Sequence, residues 1–460
     1  MFRLSSYYVT VTDRNGGGAS ILDGNSLRPG DLDDLDPRTR ELVLRRQRDL
    51  GAAYRLFYKH PVELVRGRGA RVWDAQGREY LDCYNNVPSL GHAHPAVVGA
   101  VSDQIARLST HSRYLHEPLL DFADDLLSTM PGIDQLMLVC TGSEANDLAL
   151  RVGREATGGN AYIATREAYH GNTALVSAHS PSLAGSEPQD LHLRVVAPPD
   201  TYLAGSSEVA GATFTADVAA AIDDIERAGD RLAGIILDTS FSSDGIFFGH
   251  LGMIAPAIEL VRARGGIVIA DEVQPGWARS GEAFWGFQRH GLTPDIVTTG
   301  KPMGNGFPVA AMAARREVLE PFASRRPYFN TFGGNPVAVA AAQAVLTTIR
   351  TEHLQDHAKT VGDAMRTELR GLMGAHPVIG DVRGAGLYTG LELVEDVETK
   401  APATGLALAL LEQLRERGVL TSVCGPANSI LKLRPPLAFA PEDVTILVEA
   451  LSDSLVALEA

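Results

Sequence analysis

The chain has 460 residues, a formal charge of −15 at pH 7, 45% apolar and 21% charged residues. That composition is ordinary for a globular protein with room for more than one domain, and the charge argues against nucleic acid or an anionic membrane surface as the partner. No apolar run approaches a membrane span, the first twenty residues carry no apolar signal core, and three scattered cysteines without metal spacing fit a reducing cytoplasm.

Residues 1–35, rich in Gly, Ser and Asp, read as an extended N-terminal arm. A helix opens at Asp36-Pro37, and 70–84 alternates around a turn at 75–77 as a hairpin; together 36–89 form a unit that joins a smaller domain. From 90 to 335, helical patterns alternate with the apolar runs GIILD (234–238), GIVIAD (266–271) and DIVTTG (295–300). Strand, helix and strand at this spacing predict an α/β large domain with a mostly parallel sheet covered on both faces. After 336 an Ala-rich helix, a run at 386–394, a helix at 404–418, two short strands and a helix from Pro441 predict a smaller α+β domain.

Only five of the 41 basic residues are lysine, and one of them, Lys301, ends the DIVTTG strand. Asp271 ends the GIVIAD strand. Open parallel sheets bind ligands outside the carboxyl ends of their strands, so both side chains face one crevice. A lysine buried there loses its charge readily and becomes a nucleophile for carbonyls, most often that of pyridoxal phosphate; an acid such as Asp271 would keep the pyridine nitrogen protonated. Each residue alone reads equally as a surface lysine or a helix cap. CTGSEAND (140–147) adds a tight turn at Gly142 and free amides at Ser143, at a helix start suited to phosphate. Tyr169, before His170, could stack on a ring. His92 and His94 sit in a Gly/Pro turn without a third ligand, and no metal is expected.

The segments TGSEAND, YHGNT, ADEVQPGWAR, TTGKPMGNG and TFGGNP, in this order, resemble the class III pyridoxal-phosphate aminotransferases from about residue 55 onward. The resemblance implies the aspartate-aminotransferase-like fold, pyridoxal 5′-phosphate as cofactor and a homodimer with shared active sites. It implies that Lys301 forms the Schiff base and that Asp271 pairs with the pyridine nitrogen. Gln274 reaches the ring hydroxyl, Val273 and Tyr169 flank the ring, and Gly142 and Ser143 hold the phosphate, joined by Thr331 of the neighbouring subunit.

Within the family, YLDCYNNVPSLGHAHP, HSRYLHE and YFNTFGGNPV are similar to the ethanolamine-phosphate phospho-lyase branch. That branch implies elimination of phosphate from a small aminoalkyl phosphate such as phosphoethanolamine. Lys432, where amino-acid transaminases carry a carboxylate-binding arginine, agrees with it; Asp238-Thr239 in place of Glu-Pro weakens the transaminase reading but departs from the Glu of some phospho-lyase members too. Lys432 and Arg434 project from one face of an extended strand and, with Arg113 and Asn86, are the candidate substrate ligands. The alternative is a class III aminotransferase acting on an amine or ω-amino acid; a cofactor-binding protein without catalysis is a third reading.

Overall fold

The computed structural model describes residues 23–183 and 189–459. A seven-stranded sheet forms its centre. In spatial order the strands are Gln135–Val139, Ala310–Ala314, Ile296–Thr299, Ile267–Asp271, Leu232–Leu237, Ala161–Thr165 and Leu193–Val196. The last five run parallel, and Ala310–Ala314 is antiparallel to both neighbours. Their apolar runs are continuous rather than alternating because helices cover both faces. Gly142–Thr157 packs on one face with Leu148, Ala149 and Val152. Ser207–Arg227 and Ala255–Ala263 cover the other through Phe214, Val218, Ile258 and Val261.

Two smaller sheets adjoin it. Ile379–Gly384, Thr389–Asp396, Ile430–Leu433 and Ser422–Cys424 form an antiparallel sheet. The hairpin Arg71–Asp74 and Glu79–Asp82, with Leu64–Arg68 outside it, is extended by Val419–Leu420 parallel to Glu79–Asp82. The N-terminal hairpin is thus stitched to the C-terminal part of the chain. The helices Leu354–Gly371, Thr404–Glu416 and Pro441–Glu459 bury Met365, Leu411 and Leu451 in one core with these elements.

The expected N-terminal arm, residues 1–35, falls partly within the described residues. Residues 1–22 lie outside the described residues. From Asp23 the chain is docked: Leu27 N donates to Leu56 O at 2.9 Å and Tyr58 N to Asn25 O at 2.8 Å, followed by the 3-10 turn Pro29–Asp34. The helix then runs Pro37–Leu50, capped by Asp36, whose carboxylate accepts the Arg38 and Thr39 amides.

Candidate active site

Asp271 is the last residue of its strand and pairs in register with Thr298, three positions before Lys301. Both strands therefore deliver their ends to one crevice. Asp271 is buried, and its Oδ2 receives Asn146 Nδ2 at 2.9 Å and His170 Nδ1 at 2.7 Å; its Oδ1 receives the Val273 amide at 3.1 Å. Asn146 is fixed in turn by Thr298 Oγ1 and the His170 carbonyl. A carboxylate held by this many donors is fixed in orientation, as the partner of a ring nitrogen must be.

Lys301 opens the short 3-10 turn Lys301–Gly304. Burial pushes its amine down to about 8, and the Arg434 guanidinium adds to the shift against Asp271 and Asp238. A larger neutral fraction makes it a better nucleophile.

The Gly142–Thr157 helix starts beside this turn. Thr141 caps it by accepting the Glu144 amide, while Glu144 Oε2 receives the Cys140 and Thr141 amides. This capping box uses the amides before the helix and leaves the first turn facing the crevice. A Cβ on Gly142 would lie 2.9 Å from Val273 Cγ2, and one on Gly300 would lie 3.2 Å from the Gly142 nitrogen. Gly142, Val273 and the Lys301 turn are therefore in mutual contact, which only glycines at 142 and 300 permit. Ser143 Oγ accepts the Asn172 amide at 3.2 Å, so the loop carrying half-buried Tyr169 lies alongside.

On the other side stands a group of cations. Arg434 is 4% exposed and donates to Gln274 Oε1 and to Tyr84 O, between the rings of Tyr84 and Tyr388. Arginine only donates, so Gln274 must present its oxygen here and leave its amide nitrogen for the crevice. Lys432, 5% exposed, donates to Ser242 O at 2.9 Å and sits 6.0 Å from the Tyr388 ring centroid. The two project from one strand face, as their spacing implies.

Arg279, which the sequence reading did not single out, completes the group. It is 1% exposed, donates through Nη1 to Leu387 O and Pro435 O, and leaves Nε and Nη2 unpartnered. Among the described residues, none of Lys432, Arg434 and Arg279 bonds to a carboxylate. Burial lowers Lys432 to about 7 and Arg279 to about 9, with Arg434 the next cause for both. Asp238 is held by its own loop: its oxygens receive Ser240 N, Ser240 Oγ and Ser242 N.

Asn86 is 1% exposed, and neither its amide oxygen nor its nitrogen has a partner. Its loop is tied over the Lys301 turn by Ser89 Oγ to Pro302 O at 2.9 Å and by Leu90 N to Asn305 Oδ1 at 2.8 Å. Arg113 and Thr331 are exposed and lie apart from the crevice interior. Arg113 stacks on Phe329, two residues before Thr331. His92 is taken by Asp82 at 2.8 Å, and the described residues contain no cluster suited to a metal ion.

A mostly parallel sheet whose strand ends bring a nucleophilic lysine, a held aspartate and a phosphate-type helix start to one crevice defines a pyridoxal-phosphate enzyme of the aspartate-aminotransferase-like fold. The chain belongs to the class III aminotransferases, whose family pattern it matches over residues 56–455, and that family uses pyridoxal phosphate. It is 37% identical over 443 residues to ethanolamine-phosphate phospho-lyase homolog 1 of Caenorhabditis elegans, covering 91% of this chain and 94% of that protein. The alanine–glyoxylate aminotransferase 2-like protein of Drosophila melanogaster is 38% identical over 419 residues, 88% of this chain and 85% of that one. Among solved structures, a phospholyase from Arthrobacter in complex with phosphoethanolamine superposes with a TM-score of 0.87 at 40% identity, over 90% of this chain and 99% of that one.

Proposed function

We propose that this enzyme is a phospho-lyase that eliminates phosphate from a small aminoalkyl phosphate, with phosphoethanolamine giving acetaldehyde, ammonia and phosphate. The observation that carries the reading is the set of buried basic groups, Lys432, Arg434 and Arg279, to which no carboxylate among the described residues is hydrogen-bonded, in a chain of net charge −15. Buried unpaired charge is costly, and a substrate dianion supplies the missing counter-charge. Resemblance to a phospholyase whose structure holds phosphoethanolamine supports the same substrate class.

The residues fit the cofactor. Gly142 and Ser143 would receive its phosphate, Tyr169 and Val273 would flank the ring, Asp271 would face the ring nitrogen and Gln274 Nε2 the ring hydroxyl. Bound pyridoxal phosphate supplies a carbonyl for amines and an electron sink. Lys301 would hold it covalently, and the Lys301 amine would take up the proton from the substrate carbon beside nitrogen. Asn146 and His170 keep Asp271 oriented while charge develops. Arg434 and Lys432 hold the phosphate on the next carbon, and Asn86 offers its unpaired amide to the substrate.

We place a second copy of the chain against the exposed Tyr114, Leu115, Phe329 and Phe332, beside Arg113 and Thr331. There Thr331 would reach the cofactor phosphate of the other subunit and Arg113 its substrate. No described helix is long and apolar enough to cross a membrane, and the free thiols Cys83, Cys140 and Cys424 support a cytoplasmic site.

An aminotransferase is the second reading, favoured by the Drosophila relative. Assaying the purified holoenzyme for phosphate and acetaldehyde from phosphoethanolamine separates the two. The lyase reading fails if neither phosphoethanolamine nor phosphohydroxylysine yields phosphate while an amine alone converts the cofactor to its aminated form.

A further inference from the structure

A phosphate dianion leaving carbon unprotonated would depart as a trianion, a poor leaving group. Loss of phosphate therefore calls for a proton donor at the bridging oxygen, which neither the lysine at 301 nor the ring provides while the lysine is accepting the proton from carbon. The cations that gather at the substrate side of the crevice differ in one respect. Arg434 and Arg279 are guanidinium ions, which do not release protons in proteins. Lys432 is an ammonium group, buried, with only one of its N–H bonds committed, to Ser242 O at 2.9 Å.

We infer that Lys432 donates the proton to the departing phosphate, an inference that rests on the phospho-lyase reading. As the C–H bond beside nitrogen breaks, its electron pair becomes the new carbon–carbon π bond. The C–O pair leaves on the phosphate oxygen, which takes a proton from the Lys432 ammonium, and Lys432 regains its proton from water after phosphate departs. No oxidant or further reactant is needed.

The surroundings suit that cycle. The groups facing the amine are Arg434 just past the end of its own strand, Cys424 on the next, Asp238 and the Ser242 carbonyl on the loop after the Leu232–Leu237 strand, Tyr388, and Lys301. Burial and then Arg434 bring Lys432 down to about 7, so its proton is easily given up to the phosphate oxygen as the C–O bond breaks. A bound dianion favours the charged form and reloads the donor before the next turnover.

The test replaces Lys432 by arginine, which keeps the charge and removes the transferable proton. K432R holoenzyme should release phosphate from phosphoethanolamine about 10²–10⁴-fold more slowly. Release of sulfate from ethanolamine O-sulfate should fall far less than release of phosphate, because sulfate leaves without a proton. A measurement that needs no variant is calorimetry of inorganic phosphate binding to the wild-type holoenzyme at pH 8 in buffers of different ionisation enthalpy. Uptake of about one proton is expected there, and none in K432R. Equal loss of phosphate and sulfate release in K432R, loss of neither, or phosphate binding without proton uptake overturns the proton-donor role. Wild-type enzyme that releases neither anion yet transfers amino groups refutes the lyase reading instead.

Discussion

Asn86→Leu tests whether the crevice is built around a polar ligand. In the ligand-free chain the Asn86 amide is buried with both ends unpaired, although its loop is pinned at Ser89 and Leu90. An unsatisfied buried amide group costs about 1–3 kcal/mol, and leucine puts methyl groups of similar shape in the place of both ends. Extra volume offsets about 1 kcal/mol of the gain. The cofactor-free variant should therefore be more stable than wild type by up to about 2 kcal/mol, seen in thermal unfolding as a rise of up to about 4 °C. The same change removes one or two hydrogen bonds to substrate, and kcat/KM for phosphoethanolamine should fall about 10–100-fold. A polar group that merely fills space gives the opposite pattern. A lower unfolding temperature with wild-type kcat/KM refutes the assignment.

Gly142→Ala forces a methyl to within 2.9 Å of Val273 Cγ2; the overpacking should cost about 1–3 kcal/mol and speed loss of cofactor on dialysis, followed by its absorbance. With the Lys301 amine at about 8, recombination of apoenzyme with pyridoxal phosphate should accelerate as pH rises through that value and level off above it, because only the neutral amine attacks. A rate flat between pH 6.5 and 9.5 contradicts this. Phe332→Asp, at a side chain that is 69% exposed in the single chain, should convert dimers to monomers in sedimentation and weaken cofactor retention with them. Dimers that persist in this variant remove the proposed interface.

The large sheet was legible because its strands are buried on both faces and so appear as unbroken apolar runs, and because a lysine and an aspartate at their ends have few structural uses. The capping box at Thr141 was equally readable from local spacing. Arg279 was not, since its meaning lies in contacts with Leu387 and Pro435, more than a hundred residues away. Nothing around GWARSG distinguishes a buried guanidinium from a solvated one. Where residues 23–35 dock was not legible for the same reason: the segment reads as an extended arm, and its backbone pairs with Leu56 and Tyr58. The antiparallel Ala310–Ala314 strand, AAMAA, is short and rich in a helix-forming residue, and only its neighbours in the sheet make it a strand.

Lys432 and Arg434 come from the C-terminal antiparallel sheet, whereas Lys301 and Asp271 come from the large one. In the proposed mechanism, the machinery that activates an amine and the receptor that chooses what the amine is attached to are thus inherited from different stretches of chain. A lineage can exchange the second, one or two side chains at a time, without disturbing the first. Lyases and aminotransferases can accordingly diverge on one scaffold, with altered substrate preference arising from a short strand far from the reacting bond in sequence.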